Sequence, residues 1–213
     1  SVDEMRVVVD EAHAANVPVA VHAHSNLAGI KRSIAAGVDT LEHGFPLDDE
    51  AIDMMLERGT ILCPTLSVFP RAVESIEAGN WRFPGSEDVI HRKLDETQAA
   101  FAQAVAAGVK VACGTDAGMP YVTHGGSAFE LQLMVDYGMT PMQALVAATK
   151  NAAEALRIAD THGTLAAGKQ ADLVVLNADP LSDIKVLQNL DSIALVMKGG
   201  QTYVDHMNTL INA

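Results

Sequence analysis

The amino-acid sequence predicts an α/β fold in which short parallel strands alternate with helices. The first observation is a series of short, continuously apolar runs, such as residues 18–22, separated by longer stretches of helical character up to about residue 138. Strands that are apolar throughout are typical of a parallel sheet buried on both faces. The second observation is size: 213 residues, 49% of them hydrophobic, are enough to bury a substantial core.

Four strand-then-helix units are predicted in the first 138 residues. The chain opens on a helix to about Asn16, because Ser1 and Glu4 have the spacing of a capping box. The strands are predicted at residues 18–22, 38–43, 60–63 and 109–113. The following helices begin near residues 26, 48 and 86, and they end at Gly37, Gly59 and Gly108. Residues 64–85 contain three prolines and are predicted to be irregular.

The pattern changes in the last third of the chain. Thr140 and Pro141 are a favourable helix start, and this helix is predicted to run to about Ile158. Short β-elements follow at residues 171–176, 192–197 and 201–204, and Gly199-Gly200 has the composition of a hairpin turn. We therefore divide the chain into an α/β part, residues 1–158, and a small β-appendage, residues 159–213.

Composition excludes several classes of partner. Asp and Glu number 27 against 14 Lys and Arg, and a formal net charge of -13 argues against nucleic-acid binding. No apolar run reaches the ~20 residues of a membrane span, and the first residues lack the features of a signal peptide. Two cysteines are too few for a disulfide scaffold, so the expected location is the cytoplasm.

Metal-capable side chains follow three of the four predicted strands. His22, His43 and Asp116 each lie where a strand ends, and the carboxyl ends of parallel strands meet at one edge of a sheet. Imidazole and carboxylate together suit zinc or a similar divalent ion. Such an ion would ionise a bound water near neutral pH for attack on a carbonyl, and Asp116 is the candidate catalytic base.

Simpler interpretations exist for each of these residues. A histidine after an apolar strand is commonly a hydrogen-bonded polar end, and Asp116, after Gly-Thr, has the sequence position of an N-cap for the next helix. If each of these residues only capped its own strand or helix, residues suited to bind a metal would not be expected at successive strand ends. The repeated position therefore favours one shared metal site.

Four motifs, taken in order, resemble the metal-dependent amidohydrolase superfamily. They are Val-His-Ala-His at residues 21–24, Gly-Val-Asp-Thr-Leu-Glu-His-Gly at 37–44, Gly-Thr-Asp-Ala-Gly at 114–118, and the stretch 163–176 that ends in Ala-Asp-Leu-Val-Val-Leu. The similarity is greatest to the branch with imidazolonepropionase-like enzymes, prolidase-like dipeptidases and ochratoxin-type amide hydrolases. It covers nearly the whole chain and implies the C-terminal half of a (β/α)8 barrel plus part of a β-sandwich.

The resemblance also assigns places to the candidate ligands. His22 would end the fifth barrel strand, His43 the sixth and Asp116 the eighth, with one or two zinc or similar ions bound. The family's His-x-His pair on the first strand and its metal-bridging lysine on the fourth are absent from this sequence. The resemblance thus implies half of a two-metal site, with the other ligands outside this chain.

These features predict a hydrolase of an amide, peptide or cyclic amide bond that acts through a metal-activated water. Two alternatives remain open: a catalytically inactive half-barrel fragment or assembly module, and a deaminase of the same superfamily. The expected partners are a small-molecule or dipeptide-like substrate, and either a second copy of the chain or a missing N-terminal half.

Substrate contacts are predicted in the loops that follow the strands. His24 lies two residues after His22 and would point to the same side, although a plain polar loop residue is equally compatible. His124 lies in the loop after Asp116, where substrate contacts are common. Residues 69–84 carry two arginines and form either a lid that binds a substrate carboxylate or a solvated excursion.

Overall fold

The computed structural model describes residues 1–207 of the chain and contains two three-stranded sheets. The first is parallel, in the order β1 (Ala20–Ala23), β2 (Thr40–His43) and β3 (Ile61–Cys63). The second is antiparallel, in the order β4 (Leu173–Leu176), β5 (Ile193–Lys198) and β6 (Gln201–Asp205). The predicted α/β class with a small antiparallel appendage is confirmed, although the predicted appendage includes residues 208–213, which lie outside the described residues.

The helices follow the cap signals of the sequence. The α-helices are α1 (Val2–Ala14), α2 (Leu27–Ala36), α3 (Asp49–Arg58), α4 (Val68–Glu77), α5 (Glu87–Ala107), α6 (Ser127–Asp136), α7 (Pro141–Val146) and α8 (Ala152–Ala155). A π-helix, Ala147–Asn151, joins α7 to α8, and two 3-10 helices span Ile184–Gln188 and Leu190–Ser192. The capping boxes at Ser1 and at Thr140 both form. None of the helices within residues 1–207 has the length and apolarity needed to cross a membrane.

The prediction of a regular fourth strand at residues 109–113 is wrong. Within this segment only Val111 forms a parallel bridge, to Leu62. The Leu62 N–H donates to the Lys110 carbonyl, and the Leu62 carbonyl accepts the Ala112 N–H, each at 2.9 Å. The ladder stops there because the π-helix takes the next backbone groups: Cys113 N donates to Ala147 O at 3.0 Å, and Asn151 donates to Val111 O at 2.8 Å. The segment still lies beside β3 and parallel to it.

The irregular stretch predicted at residues 64–85 is also wrong in part, because residues 68–77 form helix α4. Pro70 lies in its first turn, where a missing N–H breaks no helical hydrogen bond. Ala72 and Ser75 face inward, and α4 packs against α5. Residues 64–67, before α4, and residues 78–86, between α4 and α5, are the parts that stay irregular.

The core lies between the parallel sheet and its helices. Ile34 of α2, Leu41 of β2, Phe101 of α5 and Met134 of α6 are each 0% exposed, and burial of such a side chain contributes about 1.5–3 kcal/mol. Ile184, from the 3-10 helix after β4, belongs to the same core. The parallel sheet is therefore held rigidly, which fixes the positions of the side chains at its carboxyl edge.

Candidate active site

Two histidines meet at the carboxyl edge of the parallel sheet. β1 and β2 are adjacent, with His22 opposite Glu42 and Ala23 opposite His43. This register places Nδ1 of His22 2.9 Å from Nε2 of His43, with ring centroids 4.6 Å apart. The structure thus brings together two residues that are 21 positions apart in the sequence.

The His43 ring is held from behind by the loop after β3. Its Nδ1 lies 2.6 Å from Oγ1 of Thr65, which is buried. His43 and Thr65 both have positive φ, 67° and 49°, and this conformation is unusual for a β-branched threonine. Gly44 also has positive φ, 76°, and a Cβ there would approach Leu62 Cδ1 to 2.6 Å, so a larger residue after His43 would strain the backbone and displace the buried Leu62.

His24 completes a cluster of three imidazoles. Its ring centroid lies 5.0 Å from that of His22 and 5.8 Å from that of His43, both in edge-to-face geometry, and its Nδ1 lies 2.8 Å from Ser25 Oγ. Burial lowers the pKa of His24, and the charge of His22 acts in the same direction. Burial likewise lowers the pKa of His43; His22 lowers it further and Asp116 opposes the shift.

Asp116 lies at the same mouth. It follows the segment bridged to β3, has a φ of 54° and lines one cavity with the three histidines. The alternative N-cap role does not hold, because the next helix begins at Ser127 with Gly126 as its N-cap. At Gly114 a Cβ would meet Cys63 Sγ at 2.4 Å, so glycine allows the chain that leads to Asp116 to pass close to β3.

The cavity measures about 290 Å³ and is lined by polar and apolar side chains. The polar side chains include the histidines, Asp116, Lys93 and Glu96, whereas aromatic and aliphatic side chains form most of the wall. These include Phe45, Pro46, Val68, Phe69, Trp81, Phe83, Ile90, Met119, Pro120 and Tyr121. A cavity of this size and composition suits a small organic molecule.

The residues present fit part of a divalent-metal site. Two imidazole nitrogens face each other at 2.9 Å, a carboxylate lines the same cavity, and His43 has a hydroxyl partner on its other nitrogen, as metal-binding histidines usually do. Within residues 1–207, no three His, Cys, Asp or Glu side chains are arranged to enclose an ion. The donor set therefore has the right chemistry and fewer than the four ligands that zinc takes.

Other candidates lie apart from this cluster. His124 is exposed and does not line the cavity. Arg71, in the predicted lid, is on helix α4 with its guanidinium 4.1 Å above the Phe129 ring and 2.6 Å from Glu74, so its charge is already engaged. From the predicted lid Phe69, Ala72, Trp81 and Phe83 line the cavity, and neither of its arginines does.

Glu130 is a residue that sequence reasoning missed. It is 0% exposed on α6, and its carboxylate accepts the backbone N–H groups of Leu66 and Ser67, the latter at 2.8 Å. These residues directly follow Thr65, so Glu130 fixes the loop that holds His43. Burial raises the pKa of Glu130 to about 7. The available signal was a lone carboxylate in the apolar run 129–135.

The amidohydrolase family model matches residues 1–203. The ochratoxinase of Aspergillus niger is 36% identical over 205 residues, which are 95% of this chain and 41% of that protein. The imidazolonepropionase of Thermoplasma acidophilum is 26% identical over 203 residues, covering 94% of this chain and 44% of its own length. A crystal structure of a Xaa-Pro dipeptidase with bound methionine superposes with a TM-score of 0.85 at 37% identity, covering 95% of this chain and 48% of that one. The chain thus spans less than half the length of these relatives.

Proposed function

The chain belongs to the amidohydrolase family, and we propose that it forms part of a metal-dependent hydrolase that cleaves an amide, peptide or cyclic amide bond. Relatives named as an ochratoxinase and a Xaa-Pro dipeptidase favour an amide-type bond in a small molecule or dipeptide. The observation that carries the proposal is the contact between His22 and His43 at the carboxyl ends of adjacent strands, beside Asp116.

We propose that His22 and His43 hold one divalent ion and that Asp116 holds a second. When bound, such an ion polarises the substrate carbonyl and lowers the pKa of a water molecule. The Asp116 carboxylate accepts the proton of the attacking water and delivers it to the leaving nitrogen. The hydroxyl of Thr65, 2.6 Å from Nδ1 of His43, holds that ring so that Nε2 faces the cavity.

The proposed site includes ligands that this sequence does not contain. We propose that residues 1–158 form the C-terminal half of a (β/α)8 barrel and that residues 159–213 form part of a β-sandwich. Support comes from the parallel sheet and from relatives of which the chain covers 41–48%. The remaining ligands would come from the segment that matches the other half of those relatives. The cytoplasmic location also stays a prediction.

The test of this function is metal content and hydrolysis in a His43→Ala variant. We expect the protein that also carries the segment matching the other half of the relatives to bind zinc, measured by elemental analysis after dialysis, and to release the amine product from N-acylated amino acids. His43→Ala should lose most of the metal, and its turnover should fall at least about tenfold, because one of few nitrogen ligands is removed. His91→Ala, an exposed histidine on α5, is the matched control and should retain both.

Three outcomes would contradict the proposal in different ways. Unchanged metal and turnover in His43→Ala would remove His43 from the site. Bound zinc without hydrolysis of any amide would favour the inactive assembly module, and release of ammonia from amino-substituted rings would favour the deaminase.

A further inference from the structure

The cavity that contains the histidine cluster is also lined by three aromatic side chains. The Trp81 ring lies 5.4 Å from that of Phe83 and 5.4 Å from that of Tyr121, measured between centroids. Trp81 and Phe83 belong to the segment between α4 and α5, whereas Tyr121 belongs to the loop that carries Asp116. Two loops separated by about 40 residues therefore form one surface, called here the aromatic wall.

Hydrogen bonds fix the aromatic wall in this arrangement. The Trp81 indole N–H donates to the Phe83 carbonyl at 2.8 Å and lies 3.1 Å from Ser86 Oγ. The Tyr121 hydroxyl accepts the Arg82 N–H at 3.1 Å and donates to the Asn80 carbonyl at 3.4 Å. Because these polar atoms are already bonded to the protein backbone, the rings present apolar surface to the cavity.

Two charged side chains that line the cavity are paired with each other. Lys93 and Glu96 form an ion pair of 2.8 Å on helix α5. Phe69 and Met119 add to the apolar lining of the cavity. The apolar lining and this pairing of charges therefore favour an uncharged, apolar group.

We propose that the aromatic wall is the specificity pocket of this site and selects amides that carry an aromatic or large aliphatic group. That group packs against Trp81 and Tyr121 while the amide bond faces His22 and His43. That the bound molecule is an amide rests on the proposed function. That it carries an apolar group rests on the aromatic wall alone. The cavity of about 290 Å³ accommodates such a group with the amide beside it.

Trp81 is the only tryptophan of the sequence, so its fluorescence reports directly on the wall. The probes are N-acetyl-phenylalaninamide, N-acetyl-leucinamide, N-acetyl-glycinamide and N-acetyl-aspartate amide, titrated with excitation at a wavelength that phenylalanine does not absorb. We expect saturable changes for the phenylalanine and leucine probes, with dissociation constants at least about tenfold below those of the glycine and aspartate probes.

Variants of the wall then locate the binding. Tyr121→Ala should weaken binding of the phenylalanine probe by about tenfold and leave the glycine probe unchanged. Tyr203→Ala, an exposed tyrosine on β6, is the control and should change neither. Phe83→Ala is a second variant of the wall that leaves the Tyr121 hydrogen bonds in place, and circular dichroism checks that each variant is folded.

The outcomes separate this inference from the proposed hydrolysis. Equal affinity for the glycine and phenylalanine probes, or equal effects of Tyr121→Ala and Tyr203→Ala, would overturn the pocket. Tight binding of apolar probes that are never hydrolysed would support the pocket and contradict the hydrolase. Hydrolysis without any preference for apolar groups would support the hydrolase and contradict the pocket.

Discussion

At the scale of single residues, the site depends on how one imidazole is supported. His43 contacts His22 on one side and Thr65 on the other, and the loop of Thr65 is in turn held by the buried carboxylate of Glu130. Thr65 keeps a positive φ that a β-branched residue rarely adopts, at a cost of about 1–3 kcal/mol. The two backbone hydrogen bonds to Glu130 help to maintain this conformation.

Glu130 should make stability depend on pH. Its pKa is raised by burial from 4.5 to about 7. Between these values the unfolded chain releases the proton while the folded chain retains it, so the unfolding free energy falls as pH rises and levels off above about 7. Glu130→Gln does not titrate and should lack this fall, which urea denaturation at several pH values will measure.

The control for this prediction is Glu11→Gln, an exposed glutamate on α1, whose curve should parallel that of the wild-type protein. The lowered pKa values of His24 and His43 make stability rise with pH in part of the same range, but they do so in both proteins, so the difference between the curves reports Glu130. Burial raises the pKa of Cys113 to about 12 and also raises the pKa values of Cys63 and Tyr137, so these groups do not titrate in this range. Parallel curves for the wild-type protein and Glu130→Gln would contradict the prediction.

At the scale of elements, helix caps and a π-helix decide where the strand-end residues lie. The π-helix after α7 accepts the Cys113 N–H, which ends the pairing with β3 and sends the chain toward Asp116. α7 itself begins with a reciprocal capping box: Gln143 N donates to Thr140 Oγ1 at 3.3 Å, and Thr140 N donates to Gln143 Oε1 at 2.8 Å. The cap thus begins the helix that continues into the π-helix, whose Ala147 carbonyl accepts the Cys113 N–H.

Thr140→Ala should lower the unfolding free energy by about 1 kcal/mol, because it leaves a helix N–H without its side-chain acceptor. Thr140→Ser retains the hydroxyl and should cost less. Thr164→Ala, at an exposed loop position, is the matched control and should lie close to the wild type in the same thermal or urea denaturation. Equal destabilisation by Thr140→Ala and Thr164→Ala would rule out the cap as a significant contribution.

At the scale of the whole molecule, several large apolar side chains of the described residues are exposed. On α1 only Val9 is buried, while Val7 and Val8 are 62% and 61% exposed, and Leu165 and Leu190 are about four-fifths exposed. The adjacent exposed valines on α1 favour contact with another polypeptide at this helix. The prediction of either a homo-oligomer or a pairing with an N-terminal half stays a prediction.

Sedimentation velocity tests the association. We expect the chain, 22.5 kDa, to sediment as at least a dimer, and a Val7→Gln, Val8→Gln variant to shift toward the monomer because apolar contact area is lost. Val89→Gln, on the exposed side of α5, is the control and should not change the distribution. A wild-type monomer at every concentration would contradict self-association through α1.

The sequence by itself determined the alternation of strands and helices, the helix caps, the family and the approach of His22 to His43. These features follow from local patterns and from one rule, that neighbouring parallel strands bring their carboxyl ends together. The sequence-based predictions are wrong at residues 64–85 and 109–113, where packing against other segments overrides local preference. In the first region α4 packs on α5, and in the second the π-helix takes hydrogen bonds that would continue the fourth strand.

Only the tertiary structure decided how the site is supported and walled. Glu130 meets Leu66 across 64 residues, and Tyr121 meets Arg82 across 39. Such contacts leave no periodic signal, because each depends on how two distant elements pack rather than on the residues beside it. The strand-end histidines were visible in the sequence for the opposite reason: adjacent strands in one sheet have a fixed spacing and direction, so the position of each side chain along its strand already determines which neighbours it meets.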